Sequence, residues 1–446
     1  SSQAGSRKLF EEESLYLLSD SCTMCNRILA FTCAACWTCL LSSARAASQN
    51  FGHASDRLVR VEGDAYTRGV QLGRAWGPHI TRLYEHRRAA LRTAAASLGP
   101  NISEAFEQNW TALVATVQPL LQKHSPVWYN EMRGMAASNV PWDMLLRMST
   151  EYEAEMILLE LEYGKTSRTH ARRGHCSGVA ILGSEELITG QSNDEDVPGW
   201  LNGSLDVVVH SVDTNHSDMG LQSLYYTHPG IGAYMGMNSA GLTVLWQLID
   251  DGSRSISYHG LPTTAVLREL LTFDDADKAA KWLCQVPMAI PNNFMLSTYG
   301  QAGQVLLNVE RSATPGSCNV VSQSLGYLAH TNHAIYDHSI IDNDMFVKRS
   351  KQVEPTHETQ ARLHAVLTHA RQLWDTQNFS FRGLRRVYSS GLPVQNPDTL
   401  ATILFAPGRG EMQIRFFEDG TSPEAFTRYC FDGKACGVER SATILV

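Results

Sequence analysis

Residues 165–176 divide this chain into two kinds of sequence. Upstream, from Asp64 to about Glu162, apolar residues recur at helical spacing, clearest over Arg82–Leu98, Ile102–His124 and Trp142–Leu161. Downstream, short apolar runs bounded by turn residues read as strands: Val179–Leu182, Leu187–Thr189, Leu205–Val209, Ser223–Thr227 and Gly241–Leu248. Phe294–Ser297, Val305–Val309, Gly326–Ala329 and Thr402–Phe405 continue the series, and Leu261–Leu271, Asp275–Leu283 and Glu358–Trp374 return to helical spacing. Helices, then strands, then helices predict an α+β layered fold, with no internal repeat. The join itself, Lys165–Gly174, is a basic, small-residue loop where a chain can be cut and stay associated.

Directly after that loop comes Cys176, in Gly174-His175-Cys176-Ser177-Gly178. A cysteine at the start of a strand is most simply a small buried hydrophobe. Behind a cleavable linker it has a second use. If the His175–Cys176 bond is cut, Cys176 gains a free α-amine beside its thiol, and one residue supplies both nucleophile and base.

Two further stretches carry groups such a residue needs. The strands Val179–Leu182 and Leu187–Thr189, joined by Gly183-Ser184-Glu185-Glu186, form a hairpin. It returns Gly190-Gln191-Ser192-Asn193-Asp194-Glu195-Asp196 to the side of Cys176, with Asp194 near the thiol. Asp194 can otherwise serve as a turn carboxylate capping backbone amides. His330-Thr331-Asn332-His333 follows the strand Gly326–Ala329, and a carboxamide at a strand end is a usable oxyanion donor.

Taken in order, these stretches resemble the acyl-coenzyme A:6-aminopenicillanate acyltransferase-like group of N-terminal-nucleophile hydrolases, which includes the N-β-alanyl-dopamine hydrolases. The resemblance runs from about Val59 to about Phe417. It opens with Gly63-Asp64-Ala65-Tyr66-Thr67-Arg68-Gly69, passes Glu131-Met132-Arg133-Gly134 and Leu146–Tyr152, and reaches Cys176-Ser177 and Gly190–Asp194. Gly230-Ile231-Gly232, Gly236–Leu242, Leu261-Pro262, Leu267–Leu271, Glu310-Arg311-Ser312 and His330–His333 complete it. The resemblance implies a four-layer αββα sandwich with Cys176 in the cleft between its sheets. It implies Cys176 as nucleophile and self-cleavage residue and Asn332 as oxyanion donor. Asp194 is implied to order the processing site, and Ser312 to contact the new α-amine. A polar site and a neighbouring amine would favour the thiolate this chemistry needs.

Two positions depart from the family pattern. His175 stands where glycine usually precedes the nucleophile, and histidine restricts the backbone more than glycine does. The run Thr399–Phe405 also lacks the arginine that penicillin-type members carry before it. Acyl transfer to a penicillin nucleus is therefore not expected.

Composition narrows the remaining choices. With 446 residues and 43% apolar content the chain can bury a sizeable core. A net charge of −8 with no block of like charge points away from nucleic acid. No phosphate loop, zinc-protease helix or coenzyme A signature is visible, so no cofactor is expected. His330 and His333 are read as framing Asn332 rather than binding a metal.

At the N-terminal side, Arg27 precedes the uncharged run Ile28–Leu41 and the Ala44-Arg45-Ala46 exit, a signal-like pattern over residues 1–46. The run is short for a membrane span, so no stable span is expected. Palmitoylation of Cys22, Cys25, Cys33, Cys36 and Cys39 would offer the alternative of an anchor through residues 28–41. Sequons at Asn101, Asn109, Asn202, Asn215 and Asn378 agree with a glycosylated, secreted or lysosomal protein. Past Cys176, the thiols of Cys284, Cys318, Cys430 and Cys436 are enough for two bridges, and Cys430–Cys436 would close a short loop.

These readings assemble into a zymogen-like amidase or acyltransferase. A helix-rich α fragment (47–175) and a β fragment (176–446) would stay bound as a heterodimer after cleavage at His175–Cys176. Its substrate would be a small amide or thioester, with hydrolysis of an N-acyl amine leading. Two rivals predict differently. A conventional cysteine hydrolase would use His330 or His333 and remain uncut, and an inactive secreted binding protein with the same fold would leave Cys176 unreactive.

Overall fold

The protein is described by a computed structural model over residues 57–163, 176–195, 206–216, 220–249, 256–300, 303–336, 359–389, 393–395, 399–417 and 425–431. The described residues all belong to one compact unit within residues 52–446. The signal-like segment with its cysteines, the alternative anchor 28–41, the linker Lys165–Gly174, His175, Asn202 and Cys436 lie outside the described residues.

The upstream half is helical after one strand, β1 (Leu58–Gly63). Asp64 caps α1 (Ala65–Ser97) by accepting from the Thr67 amide at 2.7 Å, which satisfies one of the orphan donors of a helix start. The helix is longer than the Arg82–Leu98 pattern because it runs through Pro78. Next come α2 (Pro100–His124) and α3 (Pro126–Ala137), each with proline in its first turn, where the missing N–H costs nothing. The single periodic stretch from Trp142 is two helices, α4 (Trp142–Ser149) and α5 (Glu151–Tyr163), separated at Thr150.

α1 and α3 cross where two glycines meet. A Cβ on Gly69 would run into the Glu131 carbonyl, and one on Gly134 would strike the Tyr66 carbonyl. The glycines of the two upstream motifs are therefore needed for close helix packing.

Two sheets form the rest. The first has eight strands in the order β1-β4-β5-β6-β7-β8-β9-β10: β4 Val207–Asp213, β5 Leu221–Thr227, β6 Met235–Asn238, β7 Leu242–Leu248, β8 Asn292–Gly300, β9 Gly303–Arg311 and β10 Cys318–Gln323. β1 joins its edge parallel to β4. The second has six, β11-β2-β3-β12-β13-β14: β11 Gly326–His330, β2 Ser177–Leu182, β3 Leu187–Asp194, β12 Thr399–Ala406, β13 Glu411–Phe416 and β14 Thr427–Cys430.

The sheets lie face to face. β2 and β3 are buried along their whole length, as strands covered on both faces must be. On the inner side Gly178 faces the first sheet, and a methyl there would collide with the Gln247 amide and reach Met295 Sδ at 2.9 Å. A carboxamide chain spans the gap. Gln247 donates to Gln191 at 2.9 Å, and Asn293 donates to Gln247 at 2.7 Å and to Asn308 at 2.8 Å.

Helices cover both outer faces. α6 (Thr263–Leu270) packs on β7 and α7 (Ala276–Gln285) on β8 and β9. On the far side, α8 (Thr359–Asp375) and α9 (Phe381–Ser389) bury Val366, Ala370, Leu384 and Tyr388 against Val179, Ile181, Ile188 and Leu404. This is the four-layer αββα arrangement expected. A disulfide, Cys284–Cys318, ties α7 to the edge strand β10 with Cα atoms 5.5 Å apart. Cys430 is disulfide-bonded as well.

Candidate active site

Cys176 immediately precedes β2 and is buried, the one free cysteine among the described residues. The alternation that turns Gly178 toward the first sheet puts Cys176 on the same, inter-sheet side. Pairing sets Ser177 opposite Ser192 on β3. The Ser177 amide donates to Ser192 Oγ at 3.2 Å, and that hydroxyl donates to Asp194 Oδ2 at 3.1 Å. The expected hairpin thus does bring Asp194, the last residue of β3, beside Cys176.

One side chain gathers the site. Arg362, from the first turns of α8, is 2% exposed. Its Nη1 donates to the Cys176 carbonyl at 2.7 Å and to Ser177 Oγ at 3.1 Å, and its Nη2 donates to Asn332 Oδ1 at 2.9 Å. Burial lowers the guanidinium to about 10, against the opposing pull of Asp194 and Cys176, so it stays charged at neutral pH. Because a guanidinium only donates, the Asn332 atom facing it is the oxygen. Asn332 Nδ2 points the other way and donates to the Leu248 carbonyl at 3.0 Å, leaving its second N–H for an incoming oxyanion.

The same helix braces Asn332 from below. Thr359 Oγ1 accepts from the Asn332 amide at 2.8 Å, and the Thr359 carbonyl accepts from Thr331 Oγ1 at 2.9 Å. On the other side Glu310 holds the loop after β11, accepting from the Ile335 amide at 2.6 Å and the Tyr336 amide at 2.8 Å.

The histidines are committed elsewhere. His330 Nε2 meets Glu310 at 2.8 Å and Nδ1 meets the Thr331 carbonyl at 2.6 Å. His333 Nδ1 lies 3.2 Å from Thr331 Oγ1 and 3.0 Å from Thr359 Oγ1. Burial, with His330 beside it, depresses His333 to about 3 and keeps it neutral. Neither ring bonds Cys176. The Cys176 thiol itself is pushed up to about 12 by burial and by Asp194, so it is protonated at neutral pH and needs a proton acceptor at hand.

Ser312 follows β9 and is buried, its hydroxyl accepting from the Thr314 amide at 3.0 Å. The fold therefore brings Cys176, Asp194 and Asn332 together around Arg362, while the hydrogen bond of Ser312 is a local turn. Among the described residues no His, Cys, Asp and Glu cluster has the make-up of a metal site, and no helix is long and apolar enough to cross a membrane.

Arg362 escaped the sequence reading, although a signal was present. It lies with Thr359, Val366, Ala370 and Leu373 on the buried stripe of α8, and an arginine in an apolar stripe asks for a partner. Thr359 gave no such cue.

Residues 193–420, just over half of the 446-residue chain, match the family model described as acyl-coenzyme A:6-aminopenicillanic acid acyl-transferase. The match takes in Asp194, Ser312, Asn332 and Arg362 and begins beyond Cys176. No curated protein matches the chain. Among solved structures, penicillin V acylase from Agrobacterium tumefaciens is 16% identical, with a TM-score of 0.37 over 57% of this chain and 86% of that one. A mutant of conjugated bile acid hydrolase from Clostridium perfringens is 13% identical, with a TM-score of 0.39 over 59% and 96%. Those overlaps are loose, and membership does not depend on them: from Asn193 to Gly420 the sequence itself fits the family model, and the chain belongs to the acyl-coenzyme A:6-aminopenicillanic acid acyltransferase family.

Proposed function

We propose that this protein is a self-processing N-terminal cysteine amidohydrolase of that family, cut at His175–Cys176 and acting on a small N-acyl amine. The observation that carries the reading is the single guanidinium of Arg362, which bonds both the main chain of Cys176 and the side chain of Asn332.

In processing, the Cys176 thiol gives up its proton and Sγ attacks the His175 carbonyl carbon. The Cys176 nitrogen leaves with a proton, and water hydrolyses the resulting thioester to a His175 carboxylate and a free Cys176 amine. In turnover that amine takes the thiol proton and Sγ attacks the substrate carbonyl, whose oxyanion Asn332 Nδ2 accommodates. The C–N bond breaks as the leaving amine takes the proton from the ammonium. Water, activated by the α-amine, then releases the acid. Asp194 balances the ammonium form of Cys176, and Ser312 contacts the new amine. The family makes a β-alanyl amide or a related N-acyl amine the leading substrate class, with transfer of the acyl group to a second amine as the variant reaction. The conventional cysteine hydrolase is disfavoured because His330 and His333 both bond other partners.

A secreted or lysosomal glycoprotein suits the Cys284–Cys318 disulfide and the exposed sequons Asn101, Asn215 and Asn378; Asn109 is half-buried in α2. The test is intact mass under reducing conditions with N-terminal sequencing of the purified protein. A fragment beginning Cys176-Ser177-Gly178 is expected, and Cys176→Ala should give one uncut, inactive chain. A cleaved and active Cys176→Ala protein would end this account.

A further inference from the structure

Glu195, the residue after Asp194, is the hub of a buried charge cluster. Its Oε1 accepts from Asn193 Nδ2 at 3.2 Å and from the Tyr152 hydroxyl at 3.2 Å, and it faces His228 Nε2 at 3.1 Å. The other nitrogen of that ring, Nδ1, lies 2.8 Å from Asp206 Oδ1. Glu195 and Asp206 flank residues 196–205, and all three side chains are under 5% exposed.

We propose that His228 is a positioning residue for the Cys176 reaction, a staple between Asp206 and Glu195 that fixes the end of β3 beside the nucleophile. The proposal rests on the reading of Cys176 as that nucleophile.

Each ring nitrogen stands within ion-pair distance of a carboxylate oxygen, an arrangement that favours the charged ring. The surroundings support that charge. Arg87 reaches the cluster from α1, pairing with Glu151 and standing 3.5 Å from Glu195 Oε2. Glu151 and Tyr152 come from α5. Tyr234 donates to Glu151 at 2.7 Å, and Tyr226 on β5 feels the charges of Asp206 and Glu195. Arg57 also interacts electrostatically with Asp206. Glu151, Glu195 and Asp206 thus share one buried group with Arg87 and the ring, and a charged ring leaves less negative charge there uncompensated. Burial and Arg87 pull the His228 ring down, but Asp206 and Glu195 outweigh them and hold it up at about 9. The staple is therefore complete below the ordinary imidazole value near 6.5 and is lost as pH rises through about 9.

Losing it acts on the thiol in two ways. Asn193 and Asp194 lose a fixed neighbour, and Glu195, which already pushes the Cys176 thiol up, loses a compensating charge.

The measurement is the rate of Cys176 alkylation by iodoacetamide between pH 6 and 10, read by peptide mass spectrometry on the full chain, with melting temperature as the folding control. Wild type should show a fall in site reactivity near pH 9, superimposed on the rise from thiol ionisation. His228→Gln should react up to about a hundredfold more slowly at pH 7, since small misplacements beside a reacting group have effects of that size. His228→Arg, which keeps the cation, should restore the pH 7 rate and abolish the step near pH 9. A folded His228→Gln protein with the wild-type rate and profile overturns the proposal, as does a His228→Arg protein that keeps the step. Wild-type Cys176 that resists iodoacetamide across the range, in a chain that also stays uncut, overturns the nucleophile reading instead.

Discussion

At the scale of single residues the site turns on what one guanidinium can do that an ammonium cannot. Arg362 uses two separate nitrogens, one for the Cys176 carbonyl and Ser177 Oγ and the other for Asn332 Oδ1. A lysine offers one compact charge and cannot span them. Arg362→Lys should therefore leave the chain folded but slow self-cleavage, seen as persistent uncut chain on a denaturing gel. Asn332→Ala removes the proposed oxyanion donor and should lower turnover by about 10²–10³-fold, measured as kcat on an N-acyl amine substrate. Asp194 and Asn332 were legible in the sequence because their types suit the chemistry and their strands end beside Cys176. Arg362 was not, because it lies 186 positions from Cys176 and no local spacing announces which strand a helix will cover.

At the scale of elements the helical half is locked to the sheets by buried charge. Glu131 on α3 accepts from Arg68 Nε on α1 at 3.1 Å and from Arg268 on α6 at 2.6 and 2.9 Å. Arg68 also meets Asp213, at the end of β4, at 3.1 Å. Glu131→Gln would leave two buried guanidinium groups short of a counter-charge, and a loss of about 3–5 kcal/mol is expected, measured by denaturant unfolding. The periodic runs marked α1, α6 and most of the strands. They missed β1, β6, β10, β13, β14, α3 and α9. β6 and β14 are only four residues long, and half-exposed β10 carries little periodic signal. The break at Thr150 was invisible as well, since apolar spacing continues across it.

At the scale of the whole molecule, the proposed cut would fall between parts that share one folded unit. β1 and β4, Glu131 and Arg268, and Arg87 and Glu195 all join residues on opposite sides of Cys176. Residues 47–175 contain no cysteine, and Cys284–Cys318 lies wholly downstream. The cleaved fragments should therefore elute together under native conditions and separate under denaturing conditions without reductant, which size-exclusion chromatography and a non-reducing gel will show. By itself the sequence determined the order of helical and strand segments, the place of Cys176 and the candidates Asp194 and Asn332, because backbone periodicity and residue chemistry are local properties. Only the tertiary structure decided that α8 delivers Arg362 to that cysteine and that His228 joins Asp206 to Glu195. It also decided that His330 and His333 are bound elsewhere, because long-range pairing between layers depends on how the sheets and helices pack and not on any spacing along the chain.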